Sequence, residues 1–153
     1  MDLREAILDL RYLESLDQGE LQQHYAVAVN RLIAAMQRWM NSLCLDGLCL
    51  TKEIKENNDP PTLVISFGHV EFLVQPMGFR VGHGLGEVDI SPTPSSHVWR
   101  KPKKISLICD FNRSNEVSWL IDNPDSLPRL HLDQEAFESM LSHWLSGSEK
   151  PNW

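Results

Sequence analysis

"KISLICDFNRSNEVSWLID", residues 104–122, decides the fold class. Its two halves, "KISLICDF" (104–111) and "EVSWLID" (116–122), are rich in branched and aromatic residues and read as strands. "NRSN" (112–115) between them is a turn, so the stretch is a β-hairpin. No helical pattern separates the two strands, and the same holds upstream. "LCLTKEI" (48–54), "TLVISF" (62–67), "VEFLVQ" (70–75) and "EVDI" (87–90) follow one another with only Gly68-His69 and a glycine-rich stretch as punctuation. "SPTPSS" (91–96) breaks the β pattern with two prolines, and "NPDSLPRLHL" (123–132) reads as irregular. Successive strands without crossover helices predict an antiparallel sheet, here of five to seven strands.

Helices flank this β region. Leu3, Ile7, Leu10 and Leu13 recur at spacings of four and three, the apolar stripe of a short first helix capped by Asp2. A longer helix is predicted from Glu20 to Leu43, with Leu21, Tyr25, Ala28, Leu32, Ala35, Trp39 and Leu43 on one face. A second row, Val29, Ile33, Met36 and Met40, lies beside it. So wide an apolar arc suits a central core helix, and helix 20–43 is also a candidate homodimer interface. Gly47 stands where a helix-stopping residue belongs. Asp133 caps a last amphipathic helix carrying Phe137, Met140, Leu141, Trp144 and Leu145. The expected fold is α+β: two N-terminal helices, an antiparallel sheet, and one C-terminal helix packed on one face. The 153 residues are expected to form one domain, with 55–61 and 147–153 loose.

The formal charge is −7. That disfavours nonspecific binding to nucleic acid or anionic lipid and suits a basic protein partner. Charge is segregated at Arg100–Lys104, "RKPKK", which holds four of the 14 basic residues; the remaining ten stand against 21 acidic ones. Three cysteines, no apolar leader and no run of about 20 apolar residues point to a cytoplasmic protein with free thiols and no membrane partner.

Gly82-His83-Gly84-Leu85-Gly86 has the glycine density of a phosphate loop, but "EVDISPTP" after it cannot be an ordinary helix, and Glu87 and Asp89 would repel phosphate. A hairpin or bulged bend is expected there. Cys44 and Cys49 are spaced at the wide end of zinc ligands, and His69 and Cys109 would have to complete the set through folding; three buried thiols are expected instead. His69 and Glu71 would share one face of a strand, where they could pair for proton transfer. Ser95, Ser96 and His97 are neighbours in a proline loop, an arrangement nucleophile and base rarely use. No catalytic residue, metal or cofactor is assigned.

"HVWRKPKK" is the most distinctive polar feature. It can be a solvated strand edge guarded by lysine and proline, or a docking patch in which Trp99 and Arg100 act as anchors. The expected function is a non-enzymatic, acidic protein-binding module (an adaptor, inhibitor, immunity-type protein or secretion chaperone) acting by docking or occlusion. Its partner surface would be Trp99, Arg100, Lys101, Lys103 and Lys104, with Gly82, His83, Gly84 and Gly86 nearby as an adaptable loop. The alternatives are a small-ligand binder or enzyme with a pocket between the long helix and a curved sheet, lined by His69, Glu71, His83 or Asp110, and nucleic-acid binding through residues 99–104.

Overall fold

The computed structural model describes residues 2–57, 59–79, 84–122 and 130–147. Helix α1 (Leu3–Ser15) and helix α2 (Gln18–Leu45) precede seven strands: β1 (Leu50–Ile54), β2 (Thr62–Phe67), β3 (Val70–Gly78), β4 (Gly86–Pro92), β5 (Ile105–Phe111), β6 (Val117–Ile121) and β7 (Leu130–His131). Helix α3 (Gln134–Leu145) follows, and a single 3-10 turn, Pro94–Ser96, separates β4 from β5. The strands form one antiparallel sheet in chain order. The α+β architecture expected from sequence is the one observed.

Each helix starts on an aspartate. Asp2 accepts from Glu5 N–H, Asp17 from Glu20 N–H and Asp133 from Ala136 N–H, at 2.8, 2.8 and 2.7 Å. These bonds satisfy amides that the first turn leaves without partners. Helix α2 begins two residues earlier than predicted because Asp17 is its cap, so Gln18 and Gly19 are helical. It ends in a Schellman motif. Gly47 adopts φ +75°, its N–H donates to Cys44 O at 3.0 Å, and Leu48 N–H donates to Leu43 O at 2.9 Å.

Alternation sorts the sheet into two faces. Leu63, Ile65, Val70, Phe72, Val74, Val88, Ile90, Leu107, Cys109, Phe111 and Trp119 join the core with the buried side of α2 (Tyr25, Ala28, Val29, Leu32, Ile33, Met36, Met40). Helix α3 closes this layer: Phe137 packs on Trp39 at 5.6 Å between ring centroids, and Trp144 stacks on Phe72 at 5.5 Å. The β5–β6 turn forms as its residues predict. Asn112 Oδ1 accepts from the Ser114 and Glu116 amides, and Asn115 takes the left-handed conformation at φ 60°.

Two expectations change, and a third feature could not be read from sequence. Leu130–His131 is a short edge strand, although the prolines around it hid it. The basic stretch guards no sheet edge, because β5 lies between β4 and β6 and the edges are β1 and β7. Helix α1 buries no residue, and three of the four residues of its apolar stripe face solvent: Leu3 is 77%, Ile7 44% and Leu10 55% exposed. Only Tyr12, Leu13 and Leu16 reach the core.

Candidate interaction surfaces

Residues 97–104 are a loop stapled to α3. Trp99 N–H donates to Gly147 O at 3.0 Å, the Trp144 indole N–H donates to Pro102 O at 2.7 Å, and His143 Nε2 lies 2.8 Å from Lys101 O. The Lys103 ammonium donates to Val98 O at 2.6 Å. Lys104 reaches the buried carboxylate of Asp89 at 3.6 Å, which Ser106 Oγ also contacts at 2.8 Å. Arg100 lies over the Trp99 ring, its guanidinium carbon 5.4 Å from the centroid, and its aliphatic stem occupies the space a side chain at position 147 would need. Trp99 thus stands on a loop tied to α3, and it is 58% exposed. Beside it, Arg100 shares an open groove of about 510 Å³ with Glu135, Glu138 and His143. The surface is therefore mixed in sign.

Gly84 and Gly86 are not near this loop. Gly86 pairs with Cys109 while Ile90 pairs with Ile105, so the glycines and the basic stretch sit at opposite ends of β5. Both are fixed by packing. A Cβ on Gly84, which has φ +61°, would strike Cys109 O, and one on Gly86 would lie 2.5 Å from the Tyr25 ring and 2.7 Å from Gly78 O. β3 and β4 pair antiparallel, as the two arms of a hairpin do, and the register shift lies in β3 at Pro76/Gly78 rather than in the glycine stretch. Gly82 and His83 lie outside the described residues.

A cavity of about 840 Å³ lies between the first turns of α2, the β1–β2 connection and the end of β3. Gln22, Gln23, Tyr25, Glu56, Gln75 and Met77 are among its lining residues. At its floor the Tyr25 hydroxyl donates to Glu87 O at 2.6 Å and accepts from Gly78 N–H at 3.1 Å. Burial pushes the Tyr25 phenol up to about 12, against the opposing pull of the Gly78 and Met77 backbone bonds. His69, Glu71 and Asp110, expected to line a pocket, line none of the described cavities.

The remaining candidates are accounted for structurally. His69 occupies the β2–β3 turn after Gly68 (φ +64°), so it does not share a strand face with Glu71. Ser96 is fully buried and pins the Pro94–Ser96 turn to β3, its Oγ accepting from Glu71 N–H at 2.8 Å and bonding Thr93 Oγ1 at 2.7 Å. Cys109 is buried between Gly86 and Trp119, while Cys44 and Cys49 meet at the end of α2. Among the described residues, no group of three or more His, Cys, Asp and Glu side chains could hold a metal ion, and no helix is long and apolar enough to cross a membrane.

Helix α1 presents an exposed apolar surface. Arg113, on the β5–β6 turn, bonds Glu5 and, at 3.1 Å, Asp9; Tyr12 Oη donates to Asn115 at 2.9 Å, and the Tyr12 ring stacks on Phe111. The helix is held by these contacts with its Leu3–Ile7–Leu10 stripe outward. Helix α2 turns its apolar arc inward and leaves Gln22, Gln23, Asn30, Arg31, Arg38 and Asn41 outside. Comparison with protein-family models, curated proteins and solved structures finds no match.

Proposed function

We propose that this chain is a non-enzymatic protein-binding module that acts by docking. The observation that carries this reading is the outward stripe of α1. An amphipathic helix held to its domain by ion pairs, with two leucines more than half exposed, costs solubility unless a partner covers it. The helix-in-groove mode reads such stripes at i, i+4 and i+7, the spacing of Leu3, Ile7 and Leu10. The stacked Trp99–Arg100 pair is a second contact point of the residue types that anchor interfaces. The net charge of −7 favours encounter with a basic partner.

The test is a cross-linking capture with wild type, with Leu3→Glu plus Leu10→Glu, and with Trp99→Ala plus Arg100→Glu, alongside light scattering of each. The docking reading expects a stoichiometric complex that the α1 substitutions abolish while circular dichroism stays unchanged. Capture that is indifferent to both variants, together with a wild type that binds no protein, rejects it. Binding to nucleic acid with a steep salt slope would move the function to residues 99–104.

A further inference from the structure

We propose that Cys44 and Cys49 form a thiol–disulfide site, a dithiol that the fold holds ready for oxidation by a low-molecular-weight disulfide. The inference stands apart from the docking reading and uses none of its residues. Its basis is the way α2 ends. In the Schellman motif Cys44 is two residues before the cap Asp46, Gly47 reverses the chain, and Cys49 follows the residue whose amide bonds back to Leu43. That reversal carries position 49 back alongside position 44. The two Sγ atoms are in direct contact at 2.6 Å, and Cys49 Sγ faces Met40 O at 3.8 Å.

The two thiols differ in the way a stepwise exchange requires. Cys44 is partly exposed, next to the exposed Leu45 and Leu48, and can be reached by a small disulfide. Cys49 is buried, and desolvation, then its bond to Cys44, push its thiol up to about 12, so it is a poor first nucleophile. In the first step the Cys44 thiolate attacks one sulfur of the reagent RSSR, forming Cys44–S–S–R and releasing RS⁻. In the second, Cys49 gives up its proton to solvent and its sulfur attacks the Cys44 sulfur, expelling the second RS⁻. Two protein thiols are oxidised, one reagent disulfide is reduced to two thiols, and the last turn of α2 becomes covalently tied to the residue before β1. Cys109, buried in β5, is the internal control.

The full chain is equilibrated in buffers of oxidised and reduced glutathione, acid-quenched, alkylated and digested with trypsin. Cleavage after Arg38 and Lys52 places Cys44 and Cys49 in one peptide, and cleavage after Lys104 and Arg113 places Cys109 in another. The expected result is a 39–52 peptide lighter by two hydrogens, restored by reductant, while 105–113 stays a thiol. Cys49→Ser is expected to stop at a glutathione adduct on Cys44, and Cys44→Ser to leave Cys49 unmodified. Closing so short a loop is expected to raise the thermal midpoint by about 4–8 °C. The proposal is overturned if wild-type 39–52 stays reduced in buffers that oxidise the same cysteines in the urea-unfolded chain. It is equally overturned if wild type accumulates the adduct without resolving it, or if oxidation lowers the midpoint. The wild-type result decides even where a variant fails to fold.

Discussion

Tyr25 and Gly86 show how one residue's identity is set by another far along the chain. The Tyr25 ring lies where any Cβ on residue 86 would be, and its hydroxyl ties β3 to β4 through Gly78 N–H and Glu87 O. Gly86→Ala is expected to cost about 1–3 kcal/mol by overpacking. Tyr25→Phe is expected to cost about 1 kcal/mol because a part-buried amide and a carbonyl each lose a hydrogen bond. The pair is not additive: in a Tyr25→Ala background the Gly86→Ala penalty shrinks but does not vanish, because the Gly78 carbonyl still lies 2.7 Å from the new Cβ, and a urea double-mutant cycle reads this directly. Alkali probes the same neighbourhood. The Cys109 thiol, desolvated and next to Asp110, is raised from 9.0 to about 12, and the Tyr25 phenol from 10.0 to about 12. Both folded groups hold their protons more tightly than the unfolded chain does. Their stabilisation is therefore fully present below pH 9 and is lost as pH rises from 9 through 12. Urea midpoints should fall across that window, and Cys109→Ala should flatten the part nearest pH 9.

At the scale of elements, most of the architecture was legible. Local rules that the structure obeys, namely aspartate caps, a terminating glycine and an Asn-rich turn, were all present in the sequence. What could not be read was the destination of a surface. Periodicity in Leu3, Ile7 and Leu10 identifies a helix face that avoids water in one direction, but not whether the same chain covers it. The helix and its cap were legible, and the exposure of Leu3, Ile7 and Leu10 was not. His69 failed differently: the alternation of "TLVISFGHVEFLV" does not reveal that Gly68-His69 makes the turn, which removes the shared face with Glu71. The staple between the basic loop and α3 joins residues 42 apart, beyond any local pattern. Because α1 is attached through exposed and half-exposed contacts, Arg113→Ala should cost no more than about 1 kcal/mol of global stability. It should nevertheless speed hydrogen exchange in α1 selectively, leaving β5 and β6 amides as protected as before. Equal deprotection of β5 would mean that α1 is integral to the fold rather than appended to it.

Across the whole molecule, the aromatic contacts at α3 join elements that no sheet hydrogen bond connects. Phe137 meets α2 through Trp39, Trp144 meets β3 through Phe72, and the same Trp144 holds the basic loop by its indole N–H. One side chain therefore carries a packing role and a positioning role, and two substitutions separate them. Trp144→Ala removes both; it should cost about 3–5 kcal/mol, a large share of the roughly 5–15 kcal/mol available to a domain. With α2, the sheet and α3 sharing one apolar cluster, we expect that loss to lower a single transition seen alike by tryptophan fluorescence and far-ultraviolet circular dichroism. Trp144→Phe keeps the stack on Phe72 but leaves Pro102 O without its donor. Its unfolding midpoint should fall less than that of the alanine variant, while tryptic cleavage between Arg100 and Lys104 accelerates in the folded protein. If the phenylalanine variant is cleaved there no faster than wild type, the bonds to Gly147, His143 and Asp89 suffice to hold the loop, and the presentation of Trp99 does not depend on α3's tryptophan.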